Sequence, residues 1–240
     1  MQWATTSWTQ VLAAREAPTG EARQALEGLC QAYWYPLYVF VRHQGYDADE
    51  ARDLTQAYFA ELLEKGHLAD YDPDLGRFRV FLKASIKNFL SKERDKAGAW
   101  KRGGRTSVLS FDADAESRYK LEPVDRLDPE KLYERRWALT LVERVLEGLE
   151  EESREAGREV EFDRLKGLLT GEQPRTPYKE IAAELGTTED AVKASAHRLR
   201  QRFGKTLREE IGATVAAPEE VDDEVRHLLG VIAPWGPPAS

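Results

Sequence analysis

The sequence predicts an all-α protein: two small helical domains joined by a polar linker, the second containing a helix-turn-helix. Three observations carry this. Apolar residues recur three and four positions apart through almost every segment, the period of a helix with one buried face. No stretch alternates apolar and polar residues as a half-buried strand would. A Gly-, Pro- and acid-rich stretch from Gly103 to Pro129, with weak periodicity, separates two periodic regions. The 240 residues, 41% hydrophobic and 32% charged, are enough for two such domains.

Residues 1–21 form an N-terminal extension with Trp3 and Trp8. No basic start leads into an apolar core, so a signal peptide is not expected there. The first domain, 22–105, opens with a helix pair at Ala22–Tyr33 and Pro36–Gln44, stopped by Gly45. Asp47 is placed to cap the next helix, with Glu50 three positions on completing a capping box. Leu54, Tyr58, Phe59, Leu62 and Leu63 mark the buried face of that helix. A turn-rich loop, Asp70 to Gly76, precedes a second amphipathic run on Phe78, Phe81, Leu82, Ser85, Ile86, Phe89 and Leu90.

Residues 106–130 read as the acidic linker. The second domain, 131–208, starts with a helix over Leu132–Leu149 that turns Leu139, Val142, Val145, Leu146 and Leu149 inward. A second helical stretch spans Phe162–Leu169, followed by the loop Thr170–Pro177 and two short helices. The acidic C-terminal extension, 209–240, contains a helix at Pro218–Ile232 and a Pro-Gly tail. That helix reads either as a packing helix with a solvated outer side, the favoured reading, or as a regulatory flap on a basic surface.

Net charge is −8, yet the charges are segregated. His43–Gly76 holds nine acidic residues against Arg52 and Lys65, net −7. Arg77–Arg105 holds ten Lys or Arg against Glu93 and Asp95, net +8. Thr106–Glu130 returns to −4 and Thr206–Ser240 to −5. Distribution, not the sum, decides binding to phosphate, and alternating blocks suit several partners. No apolar run approaches the roughly 20 residues of a spanning helix. Cys30 is the only cysteine, which fits a reducing cytosol and hence a cytoplasmic protein.

Tyr178–Phe203 reads YKEIAAELGTTEDAVKASAHRLRQRF. Thr176 and Pro177 supply an N-cap and a first-turn proline, and Ile181, Ala182 and Leu185 face inward. Gly186 ends the helix where a left-handed residue is needed, and Thr187 caps the next, with Asp190 in the reciprocal position. Val192, Ala196, Leu199 and Phe203 give the second helix its core stripe. Off that stripe stand Lys193, Ser195, His197, Arg198, Arg200, Gln201 and Arg202, with Thr188 just ahead of the helix. Such a helix can enter a major groove while its cations reach phosphates. On this segment alone, a surface helix with solvated charges is the competing account.

The amphipathic run from Arg77 to Lys96 has Arg79, Lys83, Lys87, Asn88, Lys92 and Arg94 on its polar side, and Trp100, Lys101, Arg102 and Arg105 follow. Cations give salt-dependent backbone affinity, and aromatic rings offer platforms for unstacked bases. A second basic surface some eighty residues before the helix-turn-helix favours a protein that spans DNA.

Three segments resemble the extracytoplasmic-function (ECF) sigma factors of bacterial RNA polymerase. GRFRVFLKASIKNFLSKERDK resembles their promoter-melting helix. DEARDLTQAYFAELLEKG resembles their core-polymerase-binding helix, with an Asp-Leu-x-Gln segment followed by an aromatic. The helix-turn-helix resembles their promoter-reading domain, including Val192-Lys193 and His197-Arg198. The likeness runs roughly from Ala22 to Arg105 and from Leu132 to Arg208, and the intervening region is too short for the extra domain of housekeeping sigma factors. ATTSWTQVL and AYWYPLYVFVRHQGY look like a subgroup with long termini.

The resemblance implies a role for each matching position. Asp53, Gln56, Phe59 and Glu61 would meet the clamp helices of the polymerase largest subunit, and the flap of the second-largest subunit would be a further contact. Asp70 to Arg77 would capture a flipped base of the downstream promoter element. Arg77, Arg79, Lys83, Lys87, Asn88, Lys92, Arg94, Trp100, Lys101 and Arg102 would hold the opened strand. The chain departs from the family at Ala194-Ser195, where Ser-Arg is usual; one lost Arg contact is worth about 1–3 kcal/mol of base discrimination.

Catalytic and metal-binding residues are not expected, nor is a cofactor. His43, His67, His197 and His227 are scattered without a cysteine cluster. Gly204-Lys205-Thr206 lacks the first glycine of a phosphate loop, and Asp70, Asp72 and Asp74 lack the closing Glu of a calcium loop. Two other functions stay open at this level: a stand-alone helix-turn-helix regulator, and a helical adaptor that binds only proteins. An anti-sigma protein, or a regulatory kinase acting on Thr106, Ser107 or Ser110, also stays open as a partner.

Overall fold

A computed structural model describes residues 20–64, 77–99, 114–122, 127–169, 176–212, 214–215 and 217–232. Every regular element among them is helical, as the periodicity predicts. In chain order they are α1 (Gly20–His43), α2 (Ala48–Glu64), α3 (Phe78–Ala99), α4 (Ala115–Tyr119), α5 (Pro129–Glu155), α6 (Glu159–Leu165), α7 (Tyr178–Glu184), α8 (Glu189–Gly212) and α9 (Val221–Ile232), with 3-10 turns at Lys166–Leu169 and Pro218–Glu220. Among the described residues no helix is long and apolar enough to cross a membrane.

The chain divides into two compact units, 141–210 and a larger one made of 2–140 with 211–240. The division falls inside α5, whereas the sequence suggests a boundary near 131. A helical period has no break at Leu141, so pattern reading cannot detect a division there. The segment after Ile211, separate in the linear reading, belongs to the same unit as α1–α4.

α1 corrects the expected helix pair: it runs unbroken through Pro36. Proline removes one helical hydrogen bond, a local cost that surrounding packing can offset. That packing is extensive, because Tyr33, Trp34, Tyr35, Leu37, Tyr38, Val39, Phe40 and Val41 are all buried. A helix buried on every side loses the polar face that periodicity detects. Tyr33 meets Phe78 of α3 edge-on at 5.5 Å, and Phe40 meets Tyr133 of α5 at 6.3 Å. The Trp137 indole N–H donates to the Tyr33 hydroxyl at 3.3 Å. Gly45 then stops α1 with a φ of +97°, a conformation that favours glycine.

The capping box of α2 forms as expected. The Glu50 N–H donates to Asp47 Oδ1 at 2.8 Å, and the Asp47 N–H to Glu50 Oε2 at 3.4 Å. Tyr58, Phe59 and Leu62 are buried, but Ala51 and Thr55 complete the stripe in place of Leu54, which is half-buried. Thr55 tolerates burial because its hydroxyl donates to the Ala51 carbonyl at 2.7 Å. In α3, Phe78, Leu82, Ile86, Phe89 and Leu90 are buried; Phe81 and Ser85 are half-buried. In α5 the inward stripe is Leu141, Val145 and Leu149, while Leu139, Val142 and Leu146 are half-buried.

The described part of the linker region also departs from a solvated tether. α4 packs on α1: Glu116 accepts from Arg42 Nε and Nη2 at 2.9 Å each and from the Tyr38 hydroxyl at 2.8 Å. Arg42 also lies 4.7 Å from the Tyr119 ring. Farther on, Glu122 accepts from Arg135 at 3.1 Å and Arg136 at 3.2 Å, and the Arg118 guanidinium lies 3.9 Å from the Tyr35 ring.

The Arg42 hydrogen bonds outweigh partial burial and lower the Glu116 carboxyl from 4.5 to about 2. A carboxylate depressed by folding stabilises fully above its unfolded value near 4.5, and the gain fades as pH falls through the folded value. Replacing Glu116 with Gln is expected to lower stability by about 1–3 kcal/mol at pH 7. The gap from wild type should narrow steadily below pH 4.5 in urea melts across that range. A gap independent of pH would remove the ion pair as its cause.

Candidate nucleic-acid interface

The unit 141–210 holds one candidate surface. α7 ends in two turn hydrogen bonds that define a Schellman motif: Thr187 N–H to Ala182 O at 2.9 Å and Gly186 N–H to Ala183 O at 3.3 Å. Gly186 sits between them at φ +64°, as expected for a left-handed helix stop. The cap of α8 is shifted by one residue from the expectation. The Thr188 hydroxyl, not that of Thr187, accepts the Ala191 N–H at 3.2 Å, because Thr187 is committed to closing α7. Pro177 likewise occupies the cap position of α7, so α7 begins at Tyr178.

Leu165, Ile181, Ala182, Val192 and Ala196 form the core between these helices, with Leu168, Tyr178, Leu185 and Leu199 packed against it. Burying that stripe turns the polar side chains of the first half of α8 outward, while Leu207 and Ile211 are buried farther along the helix. Thr188, Lys193, His197, Arg198, Arg200, Gln201 and Arg202 are exposed, and Ser195 is half-buried. Several are already engaged locally. Lys193 pairs with Glu189 at 2.8 Å, Arg198 donates to Ser195 Oγ at 2.8 Å, and Arg202 meets Glu152 at 2.7 Å. These are exposed contacts of small net worth, so they yield readily to a phosphate. Gly204-Lys205-Thr206 lies inside α8, far from any strand-to-helix loop.

The second candidate surface is the polar side of α3, within the larger unit. Asn88, Lys92 and Arg94 are exposed, and Arg94 lies against Tyr46, with its Nε donating to the hydroxyl at 2.9 Å. Lys87 is half-exposed and pairs with Glu130 at 2.7 Å. Ser85, Asn88 and Lys92 border a groove of about 290 Å³ whose other walls are Tyr58, Glu61, Leu62, Phe81, Ala84 and Phe89. A groove with aromatic walls, lined also by the Asn88 amide, the Lys92 ammonium and the Glu61 carboxylate, has rings on which an unstacked base can rest.

The N-terminal end of α3 is different. Arg79, expected on the polar side, is 6% exposed. It binds Glu134 of α5, and its Nε donates to Glu224 of α9 at 2.5 Å. Its guanidinium lies 5.1 Å from the Trp137 ring. Arg77 pairs with Glu224 as well, and Lys83 with Glu134 at 2.7 Å. Burial disfavours the charge on Arg79, but its hydrogen bonds to Glu224 and the charge of Glu134 hold its pKa above the usual value. Burial likewise opposes ionisation of Glu134, and Arg79 and Lys83 overcome it, lowering its pKa. Arg79 in this structure is an interior ion-pair partner rather than an exposed cation, a correction to the sequence expectation.

Glu134, Glu224 and His227, which lies 3.1 Å from Glu134, are therefore part of this site although sequence reading gave none of them a role in it. One signal was available. Lys83 and Lys87 are four apart, as are Glu130 and Glu134, and Lys83–Glu134 with Lys87–Glu130 is the pairing of two antiparallel helices.

On α2, Asp53 is exposed and Gln56 and Glu61 are half-buried. Phe59, expected to meet the partner, is 1% exposed and packs in the core, where its ring supports the helix from within. Asp70–Gly76 and Trp100, Lys101 and Arg102 lie outside the described residues.

A chain whose described elements are all helical, two of them bearing exposed cations, has the features of a DNA-binding protein. A family model described as ECF sigma factor matches residues 20–209, and the chain belongs to that family. Its role is that of a sigma factor in transcription initiation, with RNA polymerase core and promoter DNA as partners. No curated protein and no solved structure gave a significant match.

Proposed function

We propose that α2 docks on the clamp helices of the polymerase largest subunit, that α3 holds the melted downstream promoter strand, and that α8 reads the upstream element. The observation that carries this reading is the family match, which spans all three helices. The surfaces are consistent with it. Asp53, Gln56 and Glu61 give α2 an acidic outer side suited to a basic partner. The flap of the second-largest subunit is the further contact, on the 141–210 unit. Asn88, Lys92 and Arg94 hold the opened strand, with the neighbouring aromatic groove receiving a base. Lys193, His197, Arg198, Arg200 and Gln201 face the duplex, His197 and Arg198 being matches to the family pattern. An anti-sigma protein, or a kinase acting on Thr106, Ser107 or Ser110, is compatible with this reading.

The test is retention of the chain by purified bacterial core polymerase, comparing wild type with Asp53→Arg plus Gln56→Ala. Wild type is expected to bind and the double variant to lose at least about tenfold in affinity, the scale of one reversed charge at a complementary interface. Failure of wild type to bind at low salt would instead favour a regulator that binds duplex DNA unaided.

A further inference from the structure

The carboxylates on α3 come from two places distant in sequence, and their geometry resembles a bound polyanion. Glu224 engages Arg77 and Arg79, Glu134 engages Arg79 and Lys83, and Glu130 engages Lys87. Cations spaced along one side of α3 are thus matched, one after another, by carboxylates. Glu224 is 1% exposed although it lies on a short helix with Asp222 and Asp223 pointing outward. Leu228 is the one fully buried apolar side chain of α9; Val221, Val225, Val231 and Ile232 are half-buried, and Leu229 is 56% exposed.

We infer that α9 is a displaceable intramolecular mimic of the nucleic-acid backbone: Glu224 occupies Arg77 and Arg79, and a promoter strand must displace it to engage the N-terminal half of α3. This rests on the proposed strand-binding role of α3. The exchange is physically feasible because cations pass from one set of anions to another and never stand buried without a partner. One fully buried aliphatic side chain, Leu228, and the half-buried Val221, Val225, Val231 and Ile232 give the helix a short apolar face beside the Glu224 ion pairs. The consequence is that, among the described residues of α3, free protein offers a strand Asn88, Lys92 and Arg94, and gains Arg77 and the Glu224-facing side of Arg79 on opening.

The test uses the full-length chain and a fluorescent single-stranded oligonucleotide, with affinity measured between about 50 and 200 mM salt. Glu224→Gln, which keeps the shape of the side chain, is expected to bind about threefold to tenfold tighter at the low-salt end. Its salt dependence should steepen by about 0.7 in log–log slope for each cation released to phosphate. Unchanged affinity and slope would overturn the inference. Lys92→Ala separates the two ideas: if it weakens binding while Glu224→Gln has no effect, strand binding by α3 stands and the mimicry fails. If neither wild type nor Glu224→Gln binds the strand at low salt, the strand-binding role falls and the inference with it.

Hydrogen exchange on wild type guards against a variant that merely misfolds. Amides of 221–232 should exchange faster when the oligonucleotide is bound, as the helix leaves its site. Exchange that stays the same or slows would show that α9 remains in place and would overturn the displacement.

Discussion

Replacing Arg79 with alanine is expected to destabilise the larger unit by about 3–5 kcal/mol, the range for removing one partner of a buried ion pair. Glu224 is 1% exposed and the Glu134 side chain 11%, so both carboxylates would lose their central cation where water reaches them poorly. Lys83 would still pair with Glu134, the His227 ring would still lie within hydrogen-bond distance of it, and Arg77 would still meet Glu224. This places the loss toward the lower end of the range. Trp137 would also lose the guanidinium that lies 5.1 Å from its ring. The exposed pair Arg226–Asp223 provides the contrast, since its removal is expected to change stability by less than about 1 kcal/mol. Urea melts followed by tryptophan fluorescence read both. An Arg79→Ala loss below about 1 kcal/mol would mean that the network is solvated in solution. The large cost of deleting Arg79 is compatible with easy displacement of α9, because deletion orphans charges whereas displacement exchanges them.

In the unit 141–210, Ile181→Ala is expected to cost about 2–5 kcal/mol and Ile181→Val about 0.5–1.5 kcal/mol. Ile181 is 1% exposed and belongs to a small cluster with Leu165, Ala182, Val192 and Ala196. Two of those five residues are alanines, so few side chains can close over the void. The expected consequence is loss of duplex binding, since α8 is held against α7 through this cluster. Hydrogen exchange over 178–203 should accelerate in Ile181→Ala well before exchange in α2 and α3. Equal protection in wild type and variant would show that the cluster does not hold the two helices together.

The contrast between these sites explains what could be read beforehand. α7 and α8 were legible in detail because local chemistry determines them: a left-handed Gly186, a hydroxyl cap and an apolar stripe at spacings of four and three. Even there the cap moved from Thr187 to Thr188, since either threonine satisfies the pattern and only the turn hydrogen bonds choose between them. The capping box at Asp47 and Glu50 was legible for the same reason. α1 was misread as two helices because Pro36 signals a break locally, while its cost is offset by residues far along the chain. Phe59 and Tyr58 are adjacent and both aromatic. Sequence alone does not tell which of them reaches a partner, and in the structure both are interior.

The sequence by itself determined the helical class, the basic character of α3 and α8, the acidic character of α2, and the family to which the chain belongs. The helical class and the charge of each helix follow from period, capping and composition, which act over a few residues; the family follows from the likeness of whole segments to known sigma factors. Only the tertiary structure decided that the basic side of α3 is two different surfaces: an exposed C-terminal half, and an N-terminal half closed by carboxylates from α5 and α9. Arg79 and Glu224 are 145 residues apart. Charge blocks announce that opposite signs are present, but which of them meet depends on where the apolar faces dock. That is set by packing among helices, which no local pattern records.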